Sequence, residues 1–336
     1  MTVERVLLAH GGGGRLTKEL IEQVFLPCLG NPALNPLDDA ALLDLEAGDW
    51  AFTTDSYVVS PLFFPGGDIG KLAVCGTVND LAVKGARPLW MSLGLVLEEG
   101  LPLADLRRVA ESIGSWTGSV GVAVVAGDTK VVERGRCDGL YVNTAGIGKV
   151  VTSLPLGPDS IRPGDSVIVS GYLGDHGIAV LSRRSGISFS PEVSSDCAPL
   201  WGLVSTVLAT GRTVHAMRDL TRGGLAGALC DLAESSGLGL RIWEEKLPVR
   251  SVVRGACSLL GFDPLAIANE GNMVVFCPAA DAPDVLSAMK RHPVGRWAEI
   301  VGDVREEPKR TVLMVSSIGG ERVVDMPTGE DLPRIC

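Results

Sequence analysis

Leu89-Trp90-Met91-Ser92-Leu93-Gly94-Leu95-Val96-Leu97 is too apolar for a surface strand and far shorter than the roughly 20 residues that cross a bilayer. It reads as a buried strand, and the segments after it set the fold class. Leu103 to Trp116 has apolar residues at helical spacing, Val120 to Ala126 is again strand-like, and so is Gly139 to Ile147. Strands alternating with helices imply an α/β layer. Upstream, Val3 to Ala9 reads as a strand ending in the loop His10-Gly11-Gly12-Gly13-Gly14-Arg15, followed by a helix over Leu16 to Phe25. Trp50 to Val59 is strand-like with Asp55 inside it, and Asp68 to Val83 fits a packed helix with Asn79 and Asp80 near its C-terminal end.

Downstream, Pro155, Gly157, Pro158, Pro163 and Gly164 crowd between Val151 and Asp165, a density of chain breakers that marks a domain boundary. A second α/β domain comes next. It opens with a strand over Ser166 to Ser170, and helices are expected at 175–184, 196–210, 223–236, 250–260 and 282–290. Strands near 239–243, 273–277, 298–303 and 311–316 alternate with them. After Ser316 the pattern weakens. The expected organisation is therefore an N-terminal domain over 1–155, a C-terminal domain over 156–316 and a terminal segment over 317–336 that reads as a mobile tail.

A chain of 336 residues has enough material for two cores, and its composition, 46% hydrophobic and 21% charged, is that of a globular protein. Lys and Arg total 30 against 40 Asp and Glu, and the net charge of -10 opposes unassisted binding to nucleic acid or an anionic membrane. No transmembrane run and no secretory signal stand out, so a cytoplasmic protein is expected. Eight cysteines without a Cys-x-x-Cys pair, and histidines at 10, 176, 215 and 292 outside any ligand spacing, argue against zinc.

Four features bear on chemistry. The glycine run, Gly12 and Gly13 included, exposes backbone N–H groups beside a helix start, as phosphate sites do. It lacks the Gly-Lys-Ser/Thr end of a P-loop, and a plain flexible loop explains it equally well. Asp38-Asp39, Asp55, Asp80 and Asp128 sit where packing gives little reason for charge, and converging aspartates could hold magnesium against nucleotide phosphates. Turn formation or helix capping accounts for each one singly. Arg218 to Leu225, with Asp219 and Gly223, reads as a cap and helix start where a phosphate could sit, and Glu270 in Asn269-Glu270-Gly271 could serve as a base or belong to a surface turn. Finally, Cys336 ends the chain, and a thiol on a Pro-containing tail can visit an active site and then a partner, although a chain can also simply end in Cys.

Taken in order, His10 to Arg15, Asp38-Asp39-Ala40-Ala41, Thr53 to Tyr57, Asn79 to Ala82, Gly127 to Lys130, Gly174 to Gly177, Arg218 to Leu225, Ala268 to Gly271 and Pro333-Arg334-Ile335-Cys336 closely resemble the HypE family of hydrogenase maturation factors. The resemblance runs through essentially the whole chain. It implies the two-domain ATP-binding fold of aminoimidazole ribonucleotide synthetase, selenophosphate synthetase and thiamine monophosphate kinase, with the N-terminal domain dimerising through its sheet into a barrel. It implies ATP and Mg2+ as cofactors. Asp39, Asp55, Asp80 and Asp219 correspond to metal-binding positions, with the neighbouring Asp38 leaving the first of them open. Gly12, Gly13, Asp55, Asn79, Asp80, Asp128, Thr129, Asp219 and Gly223 correspond to nucleotide-binding positions, and Cys336, Glu270 and Lys130 to catalytic ones.

The implied activity is ATP-dependent dehydration of a carbamoyl group on Cys336 to a thiocyanate, the cyanide donor for the iron of a nickel-iron centre. A HypF-like carbamoyltransferase loads the thiol, and an iron-carrying HypC–HypD-like complex accepts cyanide from the homodimer. Two other readings compete. A small-molecule synthetase or kinase of the same superfamily has no need of a terminal thiol, and selenophosphate synthetases carry a reactive Cys or selenocysteine in the Gly-rich region, where this chain has His10. A non-catalytic carrier of the tail has no need of the aspartates.

Overall fold

A computed structural model describes residues 5–37, 40–327, 332 and 334–336. Four strands form the first sheet: β1 (Trp50–Tyr57), β2 (Ala86–Glu98), β3 (Ala123–Val132) and β4 (Leu140–Val150), in the order β1-β4-β2-β3. The β2–β3 pair is parallel and the other two pairs are antiparallel. Helices α1 (Ile69–Val83) and α2 (Leu103–Val120) lie on one face. The opposite face carries Phe52, Thr54, Ser56, Trp90, Asn143, Ile147, Asp128 and Lys130, all partly or fully exposed. Strands β1 and β3 lie at its two edges.

Helix α1 is rich in small residues, Gly70, Ala73, Gly76 and Ala82, and is buried on nearly every side. That lets it run between the first sheet, α2 and the second domain. Its start is fixed by Asp68, whose Oδ1 accepts from Gly70 N at 2.8 Å and Lys71 N at 3.1 Å while Oδ2 accepts from Ser112 Oγ at 2.9 Å.

The second sheet has seven strands: β5 (Asp165–Val169), β6 (Ala216–Asp219), β7 (Gly239–Trp243), β8 (Met273–Pro278), β9 (Glu299–Arg305), β10 (Val312–Val315) and β11 (Glu321–Val324). Their order is β11-β10-β7-β9-β5-β8-β6, antiparallel except for β7–β10. Helices α3 (Asp175–Ser185), α4 (Trp201–Leu208), α5 (Gly224–Ser236), α6 (Ser251–Leu260) and α7 (Ala282–Arg291) accompany them. Val167, Val169, Val274 and Phe276 pack with α5, whereas Ile168, Met273, Val275 and Cys277 pack with α4 and α7. Both faces are covered, which is why these strands are apolar throughout instead of alternating.

The elements depart from expectation at several points. The expected strand at Val3 to Ala9 reduces, among described residues, to a single bridge from Arg5 to Pro102, followed by a tight turn over Leu8–Gly11. Two backbone bonds, Val6 N to Leu101 O and Gly100 N to Val6 O, both 2.8 Å, hold it, since it meets a loop and not a strand. Val120 belongs to α2, which stops at left-handed Gly121, so β3 starts later and carries Asp128 and Lys130 within it. The helix expected over 196–210 shortens to Trp201–Leu208. Edge strands β6 and β11 and a short hairpin over Phe63–Phe64 and Gly67–Asp68 are additions that periodicity does not predict.

Asp68→Ala leaves two backbone donors at the start of α1 and the Ser112 hydroxyl of α2 without their acceptor, so it should lower unfolding free energy by about 1–2 kcal/mol in urea titration. An unchanged midpoint would show that the cap contributes nothing.

Candidate active site

The last residues are seated against their own chain. Val58 N donates to Cys336 O and Ser60 N to Arg334 O, each at 3.1 Å, continuing the line of β1. Leu332 and Ile335 are buried in the core. Arg334 Nη1 pairs with Asp138 Oδ2 at 2.6 Å, and Arg184 Nη2 donates to Arg334 O. His176 Nε2 meets Ile335 O at 2.6 Å. The tail expected to be mobile is thus docked in this structure, and its docking brings Cys336 into a small cavity of about 40 Å³ lined by Asp55, Tyr57, Asp80, Asp219, Arg222 and Glu270.

Each of those acidic groups arrives on a different element. Asp55 lies in β1 on the inward face and accepts from Tyr57 Oη at 3.2 Å. Asp80 comes from α1 and accepts from Thr53 Oγ1 at 2.6 Å. Asp219 ends β6, and Glu270 lies in the loop before β8. Glu270 is buried, at 2% exposure, and not on a surface turn. Its backbone is fixed by Asp196, which accepts from Glu270 N at 3.0 Å, Gly271 N at 3.2 Å and Asn272 Nδ2 at 3.0 Å. Two glycines permit the approach: a Cβ at Gly76 would stand 2.3 Å from Tyr57 Oη, and one at Gly271 only 1.9 Å from Asp196 O.

Crowding has an electrostatic consequence. Burial, then Cys197 and the carboxyls of Asp196, Asp219 and Asp55, push the Glu270 pKa well above the usual range. Burial first and Asp80 second raise Asp219 to about 7, and the same two causes raise Asp55. Among described residues Glu270 Oε1 has no hydrogen-bond partner. A cation would relieve this repulsion. No group of three His, Cys, Asp or Glu among the described residues is arranged to hold a metal by itself. Asp55, Asp80 and Asp219 do share one larger cleft of about 440 Å³ with Arg218, Thr221 and Arg222. Magnesium bound through nucleotide phosphates needs only one or two carboxylates, so the donor set fits that use.

The remaining expected site residues lie elsewhere. Gly12, Gly13, Asp128, Thr129 and Lys130 line a separate pocket of about 330 Å³ with apolar walls, among them Phe25, Leu93 and Leu95. This pocket is at the β3 edge, three strands from Asp55 in β1. Within one chain, therefore, Lys130 is not beside the tail. Asn79 lines none of these pockets: its amide donates to Ala198 O and Glu270 O, each at 3.2 Å, and accepts from Leu200 N at 2.7 Å, tying α1 to the second domain. Gly223 borders the tail at the start of α5, and both it and Gly224 have positive φ (79° and 57°). Asp39 lies outside the described residues.

Sequence reasoning missed Tyr57, Arg222, His176, Ser195 and Asp196 as site residues. Arg222 lies inside a motif that carries the family resemblance, and among the described residues it is the one basic side chain lining the small cavity. His176 lies in another such motif, whereas Ser195 and Asp196 carry no local signal.

Residues 37–150 match the AIR synthase related protein N-terminal domain and residues 162–315 its C-terminal domain. The chain is thus an AIR synthase-related protein. It is 49% identical to the carbamoyl dehydratase HypE of Azotobacter vinelandii over 98% of this chain and 97% of that protein. A crystal structure of hydrogenase maturation protein HypE in complex with ATP superposes with a TM-score of 0.95 at 44% identity, covering 98% of this chain and 99% of the other. A HypE–HypF complex gives 0.81 at 43% identity, covering 94% and 100%. The chain belongs to the HypE family. No helix among the described residues is long and apolar enough to cross a membrane.

Because Asp219 has a folded-state pKa near 7 against 3.8 unfolded, its ionisation opposes folding. The penalty is absent below the unfolded value, grows as pH rises and is complete above the folded one. Asp219→Asn should therefore stabilise the nucleotide-free protein at pH 8 by about 2 kcal/mol, allowing for partial solvent contact, and by almost nothing at pH 4. Denaturant midpoints at the two pH values check this; equal effects would contradict it.

Proposed function

We propose that this chain is an ATP-dependent carbamoyl dehydratase of hydrogenase maturation whose substrate is its own C-terminus, the S-carbamoyl group on Cys336 being converted to a thiocyanate. The observation that most supports this reading is the seat of Cys336: the last residue of the chain reaches a cavity of about 40 Å³ shared with Glu270 and three aspartates. A volume that small suits a group of a few atoms carried on the thiol.

The chemistry follows from the residues. The carbamoyl oxygen is a poor leaving group, and phosphorylation by ATP makes it a good one. The oxygen attacks the γ-phosphorus while nitrogen gives up one proton. Loss of the second N–H proton and cleavage of the C–O bond then leave the nitrile on sulfur and expel phosphate. Thiocyanate, ADP, phosphate and a net proton result. Glu270 is the base: burial and the neighbouring carboxyls raise its pKa and favour the protonated form in the empty site, the positive charge that arrives with Mg-ATP favours its carboxylate, and that buried carboxylate is then a stronger proton acceptor than an exposed one. Arg222 lines the small cavity and the larger cleft alike, and on this reading its positive charge would stabilise the phosphoryl group transferred between them. Asp55, Asp80 and Asp219, and by resemblance Asp39, would hold Mg2+, which would supply positive charge to the nucleotide phosphates.

A homodimer is part of this reading. The uncovered face of the first sheet carries Phe52, 69% exposed, and Trp50 stacked on Trp90 at 5.7 Å. Pairing such faces into a barrel supports a shared site in which Lys130, Asp128, Thr129 and the loop of Gly12 and Gly13 in one copy complete the nucleotide site of the other. Such an arrangement supplies the cation that a single chain keeps at the far edge. Asn79 holds the Glu270 loop in place for the nucleotide. Domains over 1–155 and 156–316, with a terminal segment over 317–336 whose last residues, beyond β11, leave their seat to be loaded, fit a HypF-like carbamoyltransferase and an iron-carrying HypC–HypD-like acceptor in the cytoplasm.

The test is phosphate release from the carbamoylated protein with Mg-ATP. Glu270→Gln should slow it by at least about 100-fold while ATP affinity changes little. Cys336→Ser should abolish carbamoyl-dependent release. Undiminished release in both variants would contradict the reading, and would favour a small-molecule ligase or kinase.

A further inference from the structure

The tail's backbone is gripped by edge amides, by the exposed Arg184 guanidinium, which donates to Arg334 O, and by one buried side chain. Val58 N and Ser60 N offer edge hydrogen bonds that any peptide could accept. His176 is different, being a fully buried side chain in the first turn of α3 whose Nε2 lies 2.6 Å from Ile335 O, the carbonyl of the peptide bond that carries Cys336. Its orientation is set from behind. Cys197 N donates to Ser195 Oγ at 3.0 Å, so the Ser195 hydroxyl proton is available for His176 Nδ1 at 2.8 Å. That makes Nδ1 the acceptor and Nε2–H the donor to the tail. An edge-to-face contact with the Phe64 ring, centroids 5.4 Å apart at 87°, fixes the imidazole plane.

The same short loop also positions the base. Ser195 is followed by Asp196, whose carboxylate holds the backbone of Glu270 and Gly271, and Ser195 N is itself bonded to Pro65 O at 2.8 Å. Tail and base are thereby referred to one hydrogen-bonded segment.

We infer that His176, oriented by Ser195, is the positioning residue that reads the penultimate carbonyl of the tail and so sets the Cys336 side chain against Glu270. This deepens the proposed dehydratase reading and rests on it for its catalytic consequence. The imidazole touches no reacting atom. Burial lowers its pKa to about 4, so it stays neutral and keeps one donor and one acceptor at physiological pH.

The experiment uses the full-length protein with His176→Phe, His176→Gln and Ser195→Ala. Two readouts are taken: the alkylation rate of Cys336 by iodoacetamide, followed on its own peptide by mass, and single-turnover dehydration of the carbamoylated protein. His176→Phe removes the donor, so Cys336 should be alkylated at least about 10-fold faster and dehydration slowed by a similar factor or more, with ATP affinity unchanged. His176→Gln keeps an N–H at similar reach and should recover most of both, and Ser195→Ala should shift both in the same direction by less. Wild-type alkylation rates in His176→Phe, or Gln and Phe variants indistinguishable from each other, would overturn the inference. Alkylation needs neither ATP nor a carbamoyl group, so wild-type protein that fails to dehydrate strikes the functional reading and leaves the tail-seat result standing.

Discussion

Carboxyl groups brought close together repel one another and lose part of their solvation, and at the junction of the two sheets this chain gathers the partly exposed Asp55, Asp80 and Asp219 around the buried Glu270. Such an arrangement opposes folding unless something positive enters it. The surrounding structure is organised to maintain it: α1 is made slender by glycine and alanine, Asp196 clamps the Glu270 loop, and Asn79 ties that loop to α1. The cavity is unfavourable when empty of cations and suited to a nucleotide that brings them.

Into this site the chain inserts its own end. A substrate tethered to its enzyme needs no binding energy for encounter, only for register. Register here comes from edge hydrogen bonds, two buried side chains and one histidine. On the proposed reading the same seat must be weak enough to release the tail for loading and delivery, and the half-exposed ion pair of Arg334 with Asp138 adds little to its strength.

Much of the architecture was readable from periodicity, because α2, α6 and α7 carry amphipathic patterns and the inner strands of the second sheet are continuously apolar. Strands β6 and β11 escaped notice because they are four residues long and lie at sheet edges, where pairing with a neighbour and not their own pattern makes them strands. The acidic positions could be picked out as charges lacking a packing reason, and Asp55, Asp80 and Asp219 do converge. Their convergence was not legible, since it depends on contacts between segments far apart in sequence. Glu270 shows the limit most clearly: flanked by Asn and Gly it looks like a turn, yet tertiary contacts bury it. Lys130 shows another, because its motif implies a role by resemblance but not which edge of the sheet it occupies.

The central claim is that the terminal thiol carries the group being dehydrated. The direct measurement is the mass of the C-terminal peptide after carbamoylation and again after addition of Mg-ATP. The account predicts that the carbamoylated peptide loses the mass of one water, with matching phosphate release. A carbamoyl adduct that persists unchanged while ATP is consumed would contradict it.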